Sequence, residues 1–133
     1  EFGMTLPQEM EFLRGVAAAD NQVYLLGLVE GRIVAALNFS GGKRPRTRHS
    51  GEFGISVRKE FWNLGAGSAM LDALIDWARR GGIVRKIALR VRADNPRAIA
   101  LYEKKGFIRE GTLRAELAVG GVFYDLHAMA LFL

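Results

Sequence analysis

Apolar residues recur at helical spacing in some stretches of this 133-residue chain and alternate with polar residues in others. Met10, Leu13, Val16 and Ala17 at helical spacing predict a first helix over residues 6–18. A longer amphipathic helix that ends near Arg80 has a predicted apolar face of Met70, Leu71, Leu74, Ile75 and Ala78. Asn95 as N-cap, Pro96 at the first helical position and Gly106 as a stop predict a third helix between them. Strand patterns occupy six runs: 23–29, 33–39, 52–57, 86–91, 107–117 and 122–132.

The order of these elements predicts an α/β fold with a mixed sheet. Three antiparallel strands precede the long helix. The first two form a predicted hairpin that turns at residues 30–32, and the last two strands of the chain are joined through Gly120 and Gly121. The strand-helix-strand order around the long helix predicts one parallel pair. No internal repeat or second domain is evident, so residues 4–133 are predicted to form a single domain. Residues 1–3 precede Met4 and are interpreted as a cloning remnant.

Composition excludes several kinds of site. The chain has no cysteine, which excludes disulfides and a cysteine nucleophile, and its two histidines lack the spacing of a metal site. No apolar run reaches the roughly 18–20 residues of a membrane span, so we expect no membrane partner. The absence of cysteine favours a cytoplasmic protein, and the missing ligand spacing predicts no metal. The net charge of +5 is compatible with an anionic partner and equally with a solvated basic surface.

A glycine-containing turn between a strand and the long helix is the clearest candidate binding site. Its sequence is Asn63-Leu64-Gly65-Ala66-Gly67-Ser68. Glycines there let a ligand approach the backbone, and the helix N-terminus favours an anion such as a diphosphate. A tight turn without a ligand is the alternative. The turn lacks the lysine of a P-loop, and Met70 stands where a dinucleotide fingerprint needs glycine or alanine.

Two longer segments carry a family resemblance. GEFGISVRKEFWNLGAGSAMLDALIDWA and KIALRVRADNPRAIALYEKKGFIREG resemble the GNAT family of N-acetyltransferases, from residue 23 to the C-terminus. Gly65 and Gly67 match the family's coenzyme-binding signature, whereas Trp62 stands where the signature has Gln or Arg. The resemblance implies an acyl-CoA N-acyltransferase fold that binds acetyl-CoA.

The family's fold opens with a strand that has no counterpart in the predicted elements. We therefore expect a GNAT-like fold that lacks this first strand, in an N-terminally truncated chain or a fragment. The strand at 23–29 would then form an exposed sheet edge, which a partner chain, including a second copy in a homodimer, could cover.

The resemblance also implies roles for individual residues. The Val57 N–H would bond the pantetheine arm or the thioester carbonyl, and Asn95 would bond the pantetheine arm. Apart from the resemblance, the charge of Lys104 would suit a coenzyme phosphate, and a solvated lysine pair with Lys105 is the alternative. Tyr102 would protonate the departing thiolate, since its usual pKa of about 10 is near that of a thiol. Core packing for Val57 and Tyr102 and helix capping for Asn95 are the structural alternatives. The full predicted coenzyme-binding set is Ile55, Val57, Asn63, Leu64, Gly65, Ala66, Gly67, Ser68, Asn95, Ala98, Tyr102 and Lys104.

The general base is assigned from position in the chain. Glu52 lies on the strand leading to Val57, on the opposite face from Phe53 and Ile55, and is our candidate. A solvated strand glutamate is the alternative. Asp125 on the last strand is a second candidate base, or a group that recognises a cationic substrate.

These observations predict an acetyl-CoA-dependent N-acetyltransferase in which a primary amine attacks directly within a ternary complex. The acceptor is a polyamine-like small amine or a protein N-terminus. A non-catalytic acyl-CoA-binding or nucleic-acid-binding module on the same fold is the competing hypothesis. The basic run Lys43–Arg48 contains no aromatic residue, which argues against nucleic acid as a partner.

Overall fold

The computed structural model describes residues 6–15 and 17–133. It divides into two compact units, Glu1–Arg85 and Lys86–Leu133, each described by itself. The first contains α1 (Leu6–Glu9), β1 (Glu11–Arg14), β2 (Gln22–Val29), β3 (Arg32–Gly41), β4 (Ser50–Val57), a 3₁₀ turn (Lys59–Phe61) and α2 (Ala66–Gly81). The second contains β5 (Lys86–Arg92), α3 (Pro96–Lys104), β6 (Ile108–Val119) and β7 (Val122–Phe132).

Strands β1 to β4 of the first unit pair in chain order, and every pair is antiparallel. The β2–β3 connection is a two-residue turn in which Glu30 and Gly31 both have positive φ, 51° and 78°. That geometry matches the twist of the flanking strands and closes a tight hairpin. The hairpin predicted from the sequence is thus confirmed.

Helix α2 packs its apolar side against β2, β3 and β4. Its buried residues include all five predicted to form the apolar face: Met70, Leu71, Leu74, Ile75 and Ala78. On β3, Phe39 is fully buried and meets the edge of Trp77 with ring centroids 5.8 Å apart. This packing holds α2 against one face of strands β2, β3 and β4.

The predicted helix over residues 6–18 is wrong. The helix ends at Glu9, and residues 11–14 form β1, which pairs with residues 25–28 of β2. Pairing with an available strand edge outweighs the local helical spacing, and Met10 is buried at the junction. Two further members of the predicted apolar face, Leu13 and Ala17, therefore do not lie on a helix, and Val16 lies outside the described residues.

The same strand corrects a second expectation. Strand β2 was predicted to form an exposed edge because no earlier strand was evident, but it lies between β1 and β3. A strand therefore does precede it, and β1 is the outer strand of this sheet. The reason given for a partner chain over β2 no longer applies.

In the second unit β7 lies between β5 and β6 and pairs antiparallel with both. Strands β6 and β7 form a long hairpin that turns at Gly120 and Gly121, as predicted. The ladder shifts register between Leu113 and Leu117, around Ala115, whose φ is 53°. Across residues 6–15 and 17–133, no helix has both the length and the apolar character needed to cross a membrane.

Candidate coenzyme and acetyl-transfer site

The glycine turn presents the uncapped N-terminus of α2. Gly65 is the N-cap with a φ of 90°, and no side chain in the described chain caps the helix there. The first turn closes with the Ala69 N–H donating to the Gly65 carbonyl at 3.0 Å. The N–H groups of residues 66–68 precede that bond and point out of the helix end, where the helix dipole is positive.

Only glycine suits position 65. A β-carbon there would lie 3.0 Å from Cγ and 3.3 Å from Cδ of Pro7, and the left-handed φ disfavours any other residue. Asn63 also has positive φ, at 64°, a region that asparagine tolerates. The turn is therefore built by backbone conformation, with α1 packed behind it.

The backbone N–H groups of Ile55 and Val57 on β4 point away from β3. The Arg58 N–H donates to the Val34 carbonyl of β3 at 2.8 Å, which makes Arg58 a hydrogen-bonded position of the ladder. Bonded and non-bonded positions alternate in an antiparallel pair. Val57 and Ile55, one and three residues earlier, therefore direct their N–H groups away from β3. Both side chains are half-buried.

Trp62 has a structural role that its position in the signature did not reveal. Its indole Nε1 donates a hydrogen bond of 2.8 Å to the Val57 carbonyl, while the ring remains 54% exposed. The bond ties the loop before the glycine turn to the last residue of β4. No sequence pattern indicated it, since a ring-to-backbone bond over five residues has no periodic signal.

Charged groups beside the turn form an exposed cluster. Glu60 lies 3.7 Å from Arg58 and 3.9 Å from Arg32, and all three side chains are more than half exposed. Such pairs contribute little to stability. One carboxylate between two guanidiniums leaves this end of the unit with an excess of positive charge.

In the second unit, Asn95 caps α3 as predicted. Its Oδ1 accepts the Ala98 N–H at 3.2 Å, and Pro96 occupies the first turn. The capping alternative for Asn95 is confirmed. The same hydrogen bond occupies the backbone N–H of Ala98, a residue of the predicted coenzyme-binding set. The Nδ2 group of Asn95 takes no part in this cap.

Tyr102 lies on the same side of α3 as Asn95 and Ala98, because these positions are three and four residues apart. Its half-buried ring meets the edge of Phe107 with centroids 5.9 Å apart. Burial raises the pKa of the Tyr102 hydroxyl above its usual value, so the group keeps its proton through the physiological range. Lys104 is exposed in the last turn of α3, where the helix dipole favours a cation.

The two candidate bases are placed differently. Glu52 is exposed and pairs in register with Ser40, five residues before Val57, which is about 17 Å along an extended strand. Asp125 instead has a structural contact, because its Oδ1 accepts the Ala115 N–H at 2.8 Å and so holds the residue of positive φ in the β6–β7 ladder.

The structure thus brings the predicted residues together in two groups. In the first unit Ile55 and Val57 share one edge of β4, and residues 63–68 form the uncapped turn that follows. In the second unit Asn95, Ala98 and Tyr102 share a side of α3. Among the described residues, no group of three histidine or carboxylate side chains could hold a metal ion.

Comparison with known proteins decides the family. Residues 2–107 match the model of the acetyltransferase (GNAT) family. The chain belongs to the GNAT family. A crystal structure of a GNAT-family acetyltransferase from Streptococcus pneumoniae superposes with a TM-score of 0.84 and 36% identity, covering 87% of this chain and 70% of that one. The mixed α/β GNAT fold is thereby confirmed.

Two curated GNAT relatives show how much of such a protein the chain represents. It is 34% identical over 106 residues to the L-amino acid N-acetyltransferase of Escherichia coli K12, a match that covers 80% of the chain and 65% of that protein. It is 30% identical over 116 residues to the spermidine N(1)-acetyltransferase of Vibrio cholerae, covering 87% and 61%. The chain therefore spans less than two thirds of the length of either relative.

Proposed function

We propose that this GNAT chain binds acetyl-CoA and transfers its acetyl group to a primary amine by direct attack in a ternary complex. The observation that carries the proposal is the uncapped N-terminus of α2 behind Gly65. Three backbone N–H groups at a positive helix end suit a diphosphate, which coenzyme A carries. Family membership selects coenzyme A among molecules that contain a diphosphate.

The β4 edge continues this coenzyme site. Val57 and Ile55 direct N–H groups to the same side, roughly 7 Å apart along the strand, a spacing that suits an extended amide-containing chain such as pantetheine. The Val57 N–H would also stabilise negative charge on a thioester carbonyl. Asn95 Nδ2 and the exposed Lys104 ammonium would add contacts to the pantetheine arm and a phosphate.

Acetyl-CoA supplies an activated acetyl thioester for the transfer. Attack by the amine nitrogen forms a C–N bond and breaks the C–S bond, so a thiolate leaves and the amine must lose a proton. Tyr102 donates its proton to that thiolate, and its raised pKa keeps the hydroxyl protonated before the transfer. Glu52 accepts the amine proton through intervening water, since it lies five residues before Val57 on β4. Asp125 is less suited because it accepts the Ala115 N–H.

The relatives act on different amines. Their names specify L-amino acids, spermidine and the alanine of ribosomal protein bS18. All three are primary amines, which supports that class of acceptor for this chain. We propose a cytoplasmic enzyme of this kind, and no observation favours the non-catalytic alternative.

Thiol release in the presence of acetyl-CoA tests the transfer. Purified chain is given single amines from a panel of amino acids, polyamines and an alanine-initiated peptide, and free coenzyme A is followed with a thiol reagent. We expect at least one amine to release thiol in step with an acetylated product seen by mass spectrometry. Thiol release equal to the no-amine control throughout the panel would overturn the proposed reaction.

A further inference from the structure

A basic segment between β3 and β4 is held by one buried polar side chain. Asn21 is only 6% exposed, and its Nδ2 donates to the carbonyls of Gly42 at 2.9 Å and Arg48 at 3.1 Å. The backbone carbonyl of Asn21 accepts the Gly41 N–H at 2.9 Å. Asn21 therefore fixes both ends of the segment 42–48.

Further hydrogen bonds fix the interior of the same segment. Three backbone N–H groups donate to backbone carbonyls at 2.9 to 3.1 Å: Gly42 to Ser50, Thr47 to Arg44, and Ser50 to Thr47. The basic side chains are thus displayed on an ordered backbone. A partner that binds them has no loop to order, which lowers the entropic cost of association.

The charges of the segment are poorly balanced. Lys43, Arg44, Arg46 and Arg48 lie within six residues, and all are exposed. Arg48 forms an ion pair of 2.9 Å with Asp20. Over residues 6–15 and 17–133, no carboxylate forms an ion pair with Lys43. An anion placed beside Lys43 would therefore relieve repulsion among these cations.

Beside Lys43 lies an open cavity of about 410 Å³. Its polar lining comprises Asp20, Asn21, Gln22, Ser40, Lys43 and Arg48. This set contains two cations and one acid, so the lining carries one net positive charge. That balance suits a ligand group with a single negative charge. Gln22 is fixed in the wall, since its Nε2 donates to Ser40 Oγ at 3.3 Å and its Oε1 accepts the Ala18 N–H at 3.1 Å.

The cavity adjoins the candidate base. Ser40 in its lining pairs in register with Glu52 of β4, and both are exposed on the same side of the sheet. Cross-strand partners have β-carbons about 4.5–5.5 Å apart. A molecule that occupies the cavity can therefore extend past Ser40 to Glu52.

We propose that this cavity binds the carboxylate of an acceptor that carries both a carboxylate and a primary amine, with Lys43 as the main anion contact. The assignment rests on the proposed acetyl transfer, whose acceptor it specifies. The amine then lies toward Glu52, which accepts its proton. A polyamine lacks the carboxylate and is repelled by the cations of segment 42–48, so it is a poor substrate.

The test compares two acceptor pairs in which only the carboxylate differs: L-phenylalanine with 2-phenylethylamine, and L-lysine with 1,5-diaminopentane. Lys43→Met removes the proposed contact and keeps the apolar stem. Arg44→Met is the matched control, because it removes the same charge one residue away, outside the cavity lining. We expect Lys43→Met to lower kcat/KM about tenfold for the amino acids, as expected for loss of a charged hydrogen bond. The phenylethylamine value and the KM for acetyl-CoA should stay unchanged, whereas the 1,5-diaminopentane value should stay the same or rise, because Lys43→Met removes one of the cations that repel a diamine.

Two results would overturn the assignment. One is an equal loss in Lys43→Met and Arg44→Met, which would indicate only a general effect of charge. The other is a wild-type preference for the amines without carboxylate. Calorimetric titration of L-phenylalanine into the wild type and both variants gives the same comparison without turnover. Failure of carboxylate binding can thus be separated from failure of the acetyl transfer.

Discussion

Replacing Tyr102 with phenylalanine should lower kcat by roughly 10²- to 10⁴-fold, the usual contribution of a general acid. The change removes only the hydroxyl and keeps the ring that packs against Phe107. Without the hydroxyl the thiolate must leave unprotonated or take its proton from water. The rate is measured by thiol release at saturating acetyl-CoA with an amine that the wild type acetylates.

Tyr124→Phe is the matched control, since Tyr124 lies under the Arg92 guanidinium at 3.8 Å and is assigned no part in the reaction. Acetyl-CoA affinity should be the same in both variants. Because burial raises the pKa of Tyr102, wild-type activity that depends on this acid should be lost only at a pH above the usual range of a tyrosine hydroxyl. Equal turnover in the two variants would show that Tyr102 is not the acid.

Replacing Gly65 with alanine should destabilise the fold by about 1–3 kcal/mol and weaken acetyl-CoA binding at least roughly tenfold. The new β-carbon meets Pro7 at 3.0 Å, and alanine resists the φ of 90°. Relief of either strain shifts the first turn of α2, whose N–H groups are the proposed diphosphate donors. Thermal unfolding measures the first effect and calorimetric titration of acetyl-CoA the second.

Gly81→Ala provides the comparison within the same helix. Gly81 is the last residue of α2, and a β-carbon there would meet nothing within 4 Å. Alanine should therefore be neutral or slightly stabilising at that end, with no change in acetyl-CoA binding. If Gly65→Ala bound acetyl-CoA as tightly as Gly81→Ala, the glycine turn would not be the diphosphate site.

Local signals predicted the long helix and the third helix well. The apolar face of α2 is complete in the sequence, and Asn95, Pro96 and Gly106 mark the limits of α3 by their backbone and capping preferences. Such elements are determined by residues close together in the chain. Their bounds therefore agree with the structure to within a residue or two.

Strand β1 could not be predicted in this way. Its spacing of apolar residues is compatible with a helix, and only the edge of β2, more than ten residues away, favours the extended form. The register shift around Ala115 has the same origin, because Asp125 on the next strand stabilises it. Long-range pairing leaves no periodic pattern in the sequence.

The candidate site was predictable where it uses backbone. The glycine turn and the uncapped helix end follow from residue types that permit positive φ. The hydrogen bond from the Trp62 indole and the one that Asp125 accepts from the Ala115 N–H depend on side-chain geometry. Both became evident only in the structure. The predicted acid Tyr102 and base Glu52, and the prediction that residues 4–133 form one domain, remain predictions.

Binding of acetyl-CoA to the wild-type chain tests the central claim most directly. Thermal unfolding is followed as acetyl-CoA is raised to millimolar concentration, with adenosine as a control that lacks the diphosphate. A ligand at about 100 times its Kd stabilises the folded state by roughly 2.7 kcal/mol, so Tm should rise by several degrees with acetyl-CoA and stay constant with adenosine. An unchanged Tm at millimolar acetyl-CoA would contradict a coenzyme site at the N-terminus of α2.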